Sequence, residues 1–509
     1  MADERLEYER LGAKKLTLVD CIAQSVGFMG PVFSAAFLIP LIAGFSAAGK
    51  GAGVATPLAV LIAALGTFAL GWIVAQYAKR VHAAGSLYDY VAEGLGPRAG
   101  AFAGWIYYGG TTVLASAIAC LVGWYMHDVI FTADPAVPGV LSATSPLPMW
   151  AWSLVFIAAV FLIQYFGVRL STRAQLTLAL VSAVVVLIFF IKVIADAPVK
   201  NMEPFNPNSA ADGWTGILFG VLYGVLIFVG FETAANLAEE TAEPKRSIPR
   251  AVLYTVGIAT VFYLIASYAQ IVGFGLDIAI ITDPAVAAAP LFALGSPPEV
   301  GGYGSDGILK LLEIVVFLDV LAVGLGAAVA SARGVFAMAR DRRIPGGLAK
   351  VSRRGTPVGA IAFVEAVSLV MVGLAQYATD MFAQAVRLPH FFEMFAWLST
   401  FGGFALMVVY GLLAFGAYFG LRRGTNYLGV IVAATVGVAI SALAVFGGIY
   451  KQPNPYDQVW RWVLVWAVLG LIFAFAMKGR PQASTVLNDL RSDEETGVNP
   501  AGVRADGIG

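Results

Sequence analysis

A helix that crosses a bilayer needs about 20 predominantly apolar residues, and this sequence supplies such a run repeatedly. Twelve stretches qualify, near 18–43, 55–79, 99–130, 148–168, 173–195, 214–240, 250–275, 308–338, 357–380, 390–421, 427–449 and 458–478. Hydrocarbon offers no partner to a stray backbone group, so these runs are expected to be helical and the chain an all-α membrane protein. Composition agrees: 13% of the residues are charged and 59% hydrophobic, with a mean hydropathy of +0.80, whereas a soluble domain carries roughly 25% charge. So little charge cannot cover the water-facing surface of a soluble enzyme. Basic and acidic residues number 32 each, so no basic stripe points to nucleic acid. Cys21 and Cys120 lie inside apolar runs, which speaks against a disulfide framework. The three histidines make no cluster with metal-ligand spacing, so no metal or cofactor is expected. The charged opening residues precede a long apolar run rather than the short one of a signal peptide.

The loops orient the spans. Arg5, Arg10, Lys14 and Lys15, then Lys79, Arg80 and Arg98, Arg169 and Arg173, and Lys245, Arg246 and Arg250 fall on one side. Arg340, Arg342, Arg343, Lys350, Arg353 and Arg354, then Arg422 and Arg423, then Lys478 and Arg480 continue that side. The opposite loops hold Lys50, Lys200, Lys310, Arg387, Lys451 and Arg461. The positive-inside rule then puts both termini in the cytosol of a cytoplasmic (inner or plasma) membrane. Residues 1–17 read as a cytosolic N-terminus, and 479–509 as a polar, disordered cytosolic tail.

Two spans carry interruptions. The first holds Gly27, Gly30 and Pro31; the sixth holds Gly220, Gly224 and Gly230. Proline removes a backbone donor, and glycine lets a ligand approach the chain. Breaks at spans one and six are what two inverted five-helix repeats would show, about 18–195 and 214–421, with helices 1 and 6 unwound at a binding site. Unwinding would free N–H groups around Gly27, Phe28, Met29 and Gly30, which suit a carboxylate. Carbonyls freed around Phe228, Val229 and Gly230 suit an ammonium group. An α-amino acid carries both, so the expected partner is a small molecule of that kind.

The stretch GFETAANLAEETAEPKRSIPRAV (230–252) resembles the sixth helix and following loop of the amino acid–polyamine–organocation (APC) superfamily of permeases, through Gly230, Phe231, Glu232, Glu239, Glu240, Pro244, Arg246, Ile248, Pro249 and Ala251. Residues 83–105 and 330–361 are similar to two further motifs of that family. The resemblance implies a leucine-transporter-like core over 18–421 with two additional C-terminal helices in 427–478. It also implies an amino acid or related amine as substrate, moved by coupling to an ion or by exchange. Where many members have Gly-Ser-Gly in the first helix, this chain has Met29-Gly30-Pro31, and Pro31 has no N–H to offer.

Carboxylates inside spans are costly and call for a role. Glu232, beside the second break, is expected to be linked to proton coupling or to a gate, because a buried carboxyl can hold a proton near neutrality. The alternative is a structural cap on the neighbouring backbone. Asp319 is expected either to line the pocket or to satisfy a neighbouring helix. Glu313 reads as near the external end, Glu393 as solvated or interfacial, and Glu365 as structural. In 324–334 a single hydroxyl, Ser331, stands where sodium-coupled relatives have a pair, so the coupling ion expected is a proton. Among the aromatics, Phe33 and Phe231 are the gate or pocket candidates, with Trp105, Tyr107, Tyr108, Tyr223, Phe228 and Trp397 also in the relevant spans. His82 and His127 read as interfacial. The run Glu239, Glu240, Glu243, Lys245, Arg246 and Arg250 reads either as a cytosolic gate or as a solvated loop. The function expected is secondary active transport, not enzymatic chemistry. The alternatives are an amine, polyamine or small carboxylate as cargo and, from another class, a membrane-embedded enzyme or sensor.

Overall fold

The structure is a computed structural model. It describes residues 16–476 apart from 45–50, 82, 133–139, 142, 282–285, 287–289, 378–389, 423–425 and 451–455. The segment 1–15 and the tail 477–509 lie outside the described residues, as do Lys50, His82, Arg387, Arg423 and Lys451.

The chain is a sequence of helices: α1 (Leu18–Met29), α2 (31–43), α3 (Thr56–Ala78), α4 (Leu87–Leu95), α5 (Pro97–Trp124), α6 (Met149–Phe166) and α7 (Val168–Asp196). After these come α8 (Gly213–Leu226), α9 (Pro244–Gly273), α10 (Asp306–Arg340), α11 (Val358–Tyr377), α12 (His390–Gly420), α13 (Tyr427–Ile449) and α14 (Val459–Ala476). Among the described residues the β-structure is two isolated bridges, one of which ties Leu16 to Thr241. Among the described residues, ten helical segments are long and apolar enough to cross a membrane, with α1 and α2 together forming one of them. Two expected spans look different. The stretch 214–240 is not one helix: α8 stops at Leu226, the chain turns, and a 3-10 turn follows at Thr233–Leu237. α10 is 35 residues long and carries Asp306, Lys310, Glu313, Asp319, Arg333 and Arg340.

Burial separates the centre from the rim. In Leu18–Ala43 89% of the most apolar window is buried, against 22% in Tyr456–Ala476 and 28% in Met149–Phe166. The outer helices are nonetheless apolar all round, exposing Leu162, Ile188, Val261, Leu428 and Ile472. An apolar, exposed helix surface is stable only against lipid, so this is a multi-pass membrane protein.

Small residues set how closely the inner helices approach, as they do where packing rather than water exclusion drives association. A Cβ placed on Gly334 of α10 would lie 1.7 Å from Cε1 of Tyr108 on α5. That tyrosine is fixed, since its hydroxyl donates to the Gly85 carbonyl at 2.6 Å. Gly334→Leu should therefore destabilise at or beyond the upper end of the roughly 1–3 kcal/mol typical of overpacking. Gly373→Ala on α11, which meets nothing within 4 Å, should change little. Melting temperatures of the purified variants check this; a wild-type value for Gly334→Leu would refute the packing assignment.

Candidate functional site

α1 ends at Met29 because Gly30 takes φ 56° and ψ 76°, in the left-handed region, which costs glycine little and other residues more. A Cβ there would also lie 2.0 Å from Cγ2 of Val323. Pro31 then opens α2, a position where its missing N–H costs nothing. The Gly30 N–H still closes the last turn of α1 on the Val26 carbonyl at 3.0 Å. Donors left over by a break belong to the first turn of the following half-helix, whereas the end of the preceding half leaves carbonyls. The free donors are therefore Val32 and Phe33, not the Gly27–Gly30 set expected from the sequence. Both are taken: their N–H groups donate to Oδ2 of Asp319, from α10, at 2.9 and 2.7 Å. Asp319 is fully buried, and its Oδ1 has no hydrogen-bond partner among the described residues. Ser34 Oγ donates to the Met29 carbonyl at 3.1 Å, and Gln270 Nε2 to the Ala35 carbonyl at 2.7 Å. Gly27 faces α7, where a Cβ would come within 2.7 Å of Gln175.

The second irregular segment follows α8. Gly230 has φ 113°, and a Cβ on it would sit 2.9 Å from the backbone nitrogen of Met29. The two interruptions thus meet backbone to backbone. Ser25 links them: its Oγ donates to the Phe231 carbonyl and accepts from the Ala234 N–H, both at 3.0 Å. Of the carbonyls expected to face an ammonium, that of Phe228 accepts from Phe231 N–H at 3.2 Å and that of Gly230 from Thr233 N–H at 3.0 Å. Glu232 is fully buried. Tyr107 of α5 donates to its Oε1 at 2.6 Å, and the Gly230 N–H donates to its Oε2 at 3.2 Å.

Beside this junction is a cavity of about 40 Å3, room for roughly three water molecules. Phe28, Met29, Phe33 and Leu38 line it from α1 and α2, Leu114 and Ile118 from α5, and Leu226 and Val229 from α8 and the turn after it. Val323 of α10 and Ser399 of α12 complete the wall. Phe28, Met29, Val229 and Phe33 were legible candidates. Leu38, Leu114, Ile118, Leu226 and Val323 were not, because an apolar residue at helical spacing reads the same facing lipid, core or pocket, and a lone hydroxyl such as Ser399 carries no pattern. Phe231 and Phe228 are not part of the lining. The Phe231 ring packs on Tyr410 at 5.5 Å and the Phe228 ring on Tyr263 at 5.1 Å. Trp105 stacks on Trp466 at 4.4 Å and Trp397 on Phe401 at 6.0 Å, both outside the lining. Ser331 is buried, its Oγ bonded to the Ala327 carbonyl at 2.8 Å.

Two side-chain clusters near the interrupted segments are tightly packed. Phe33 meets Phe395 edge-on at 5.9 Å, and Phe37 packs among Trp124, Tyr125, Phe392 and Phe395. In the second cluster, Arg340 forks onto Glu239 at 2.9 and 2.7 Å, and Arg333 onto Glu240 at 2.7 and 3.4 Å. All four side chains are at most 6% exposed. The charge run of the sequence is thereby divided. Its first two acids pair with α10, while Glu243 and Arg246 form an exposed contact at 3.7 Å. Arg333 and Arg340 were missed as partners because the pairing spans about a hundred residues. Glu365 is buried and accepts from Gln164 at 3.3 Å, and Glu313 and Glu393 are buried as well; for Glu393 this replaces the solvated position expected. Among the described residues no group of His, Cys, Asp or Glu could hold a metal ion.

Comparison with known proteins places this geometry. The amino acid permease family matches residues 25–450. The branched-chain amino acid permease BcaP of Bacillus subtilis (strain 168) is 24% identical over 351 residues, 65% of this chain and 70% of that protein. The methylthioribose transporter of the same organism is 25% identical over 310 residues, 60% and 64% of the two chains. Among solved structures, an Eremococcus coleocola manganese transporter superposes with a TM-score of 0.53 at 12% identity, covering 96% of this chain and 99% of that one. MhsT in complex with L-phenylalanine gives 0.53 at 13% identity, with 86% and 100% covered. At such identities the two structures speak for the fold, a leucine-transporter-like bundle. Fold and family together make this a permease and not an enzyme: the chain belongs to the amino acid permease family of the APC superfamily.

Proposed function

We propose that this protein is a secondary active transporter that moves a neutral, apolar amino acid across the cytoplasmic membrane by alternating access, coupled to protons. The observation that carries the reading is the apolar cavity at the meeting point of the two interrupted helices. In this reading twelve spans form two inverted repeats, about 18–195 and 214–421, with 427–478 outside them and both termini cytosolic. The wall of Phe, Leu, Ile and Val side chains matches an aliphatic side chain, and the branched-chain permease among the relatives supports that size class. The aromatic cluster around Phe37 and the buried pairs Glu239–Arg340 and Glu240–Arg333 act as the two gates. Glu232 takes the gate-coupling role of the two expected for it, because Tyr107 and the Gly230 N–H hold both its oxygens and join the break to α5. A second reading, an amine permease, draws on Asp319, which fills the donor pair that a substrate carboxylate would use.

Uptake of labelled leucine, isoleucine and valine into proteoliposomes tests the proposal. Accumulation is expected with an inward proton gradient and should vanish when the gradient collapses. Val229→Trp would fill the cavity and should cut leucine uptake about tenfold or more, with the protein still folded. No uptake of any amino acid would refute the substrate class. The inner gate has its own signature. Arg340→Ala leaves Glu239 buried without its main counter-charge, at a cost of about 3–5 kcal/mol. The double variant Glu239→Gln/Arg340→Met should recover most of the lost melting temperature; equal losses in both would refute the pairing.

A further inference from the structure

We propose that Asp319 is an internal competitor for the substrate's carboxylate, and that it yields the N-terminus of α2 only on taking up a proton. The inference rests on the amino acid reading above and deepens it by naming where the coupling proton goes.

Three observations converge. The first turn of α2 offers two N–H donors, Val32 and Phe33, and the positive end of a helix, a combination that suits an anion. Asp319 Oδ2 occupies both donors. The site also abuts the cavity: Phe33 lines it, as does Val323, one helical turn beyond Asp319 on α10. An amino acid lying there with its side chain among Phe28, Val229 and Leu114 would direct its carboxylate at the same donor pair.

Two carboxylates in one desolvated site cannot both stay charged; one of them holds a proton. Asp319 has the place for it, since Oδ1 is buried and unpartnered among the described residues. From α2 Asp319 receives backbone N–H groups, and from α9 the titratable group that interacts with it is the Tyr263 hydroxyl. No Lys, Arg or His is hydrogen-bonded to it among the described residues. The step balances. One proton from the water on the side of entry adds to Oδ1, Oδ2 becomes a weak acceptor, and Val32 and Phe33 transfer their hydrogen bonds to the incoming carboxylate. The donor pair faces one negative charge before and one after. Glu232 differs, because both its oxygens already accept a hydrogen bond.

The test is leucine binding to the purified full-length protein in a weakly buffered solution containing a pH dye, repeated across pH. Wild type is expected to take up protons on binding. Above the pH at which Asp319 ionises, its affinity should fall about tenfold per pH unit, the slope of a one-proton linkage. Asp319→Asn keeps an oxygen acceptor for Val32 and Phe33, so it should bind leucine with a flat pH profile and no proton uptake. Glu365→Gln, at a buried carboxyl outside the cavity lining, should keep the wild-type proton uptake. Binding by wild type without proton uptake overturns the inference even if the Asn variant does not fold, and so does an Asn variant that keeps the wild-type pH profile. Tighter binding of isopentylamine than of leucine also overturns it, since Asp319 would then be pairing with an ammonium. Failure to bind any amino acid at any pH is a different result: it removes the proposed function, and this inference with it.

Discussion

Helices interrupted inside an apolar protein leave backbone groups that no water can reach, and the centre of this molecule is arranged to satisfy them. A buried, unpaired amide or carbonyl costs about 1–3 kcal/mol, and two interruptions create several. Asp319 takes the N–H groups of Val32 and Phe33, Ser34 and Gln270 take the carbonyls of Met29 and Ala35, and Ser25 bridges Phe231 and Ala234. These partners come from α1, α2, α9 and α10, so the irregular segments hold the inner helices in register. The polar residues that look expensive in an apolar chain answer the expense of the broken backbone.

The same arrangement accounts for the cavity. Gly230 brings its backbone against Met29, and Gly326 of α10 allows equally close approach to Phe28, where a Cβ would lie 2.7 Å from Cα. With backbones so close, side chains are displaced to one flank of the junction, and there Phe33, Val229, Leu114 and Ile118 leave a small apolar void. The aromatic cluster and the two ion pairs nearby differ in kind. Aromatic edges part by rearranging apolar contacts, whereas forked Arg–Glu pairs part when water solvates both charges.

Glu232 and Asp319 show that two buried carboxylates in one protein need not be satisfied alike. Glu232 is enclosed by donors, one from α5 and one from its own turn. Asp319 is satisfied on one oxygen alone, and the groups that satisfy it are ones a ligand of the right charge could claim.

The membrane class, the positions of most spans and the candidate breaks were legible in the sequence, because hydropathy, glycine and proline act locally. Gly30 and Gly230 are recognisable from their neighbours, and the structure gives both a positive φ. The donors at the first break, Val32 and Phe33, lie beyond the Gly27–Gly30 expected, since the N–H groups of the preceding half-helix stay in its own hydrogen bonds. Which groups meet across the fold was decided by tertiary structure. Asp319 reaches Val32 over 287 residues and Arg340 reaches Glu239 over 101, and no local pattern distinguishes either from any other buried charge. The orientation of Phe231 toward Tyr410 was likewise hidden, because adjacent positions in an irregular turn project in directions that only the surrounding helices determine. A chain in a bilayer announces where it must be helical and where it cannot be; the partner of each broken backbone group depends on which helix packs beside it.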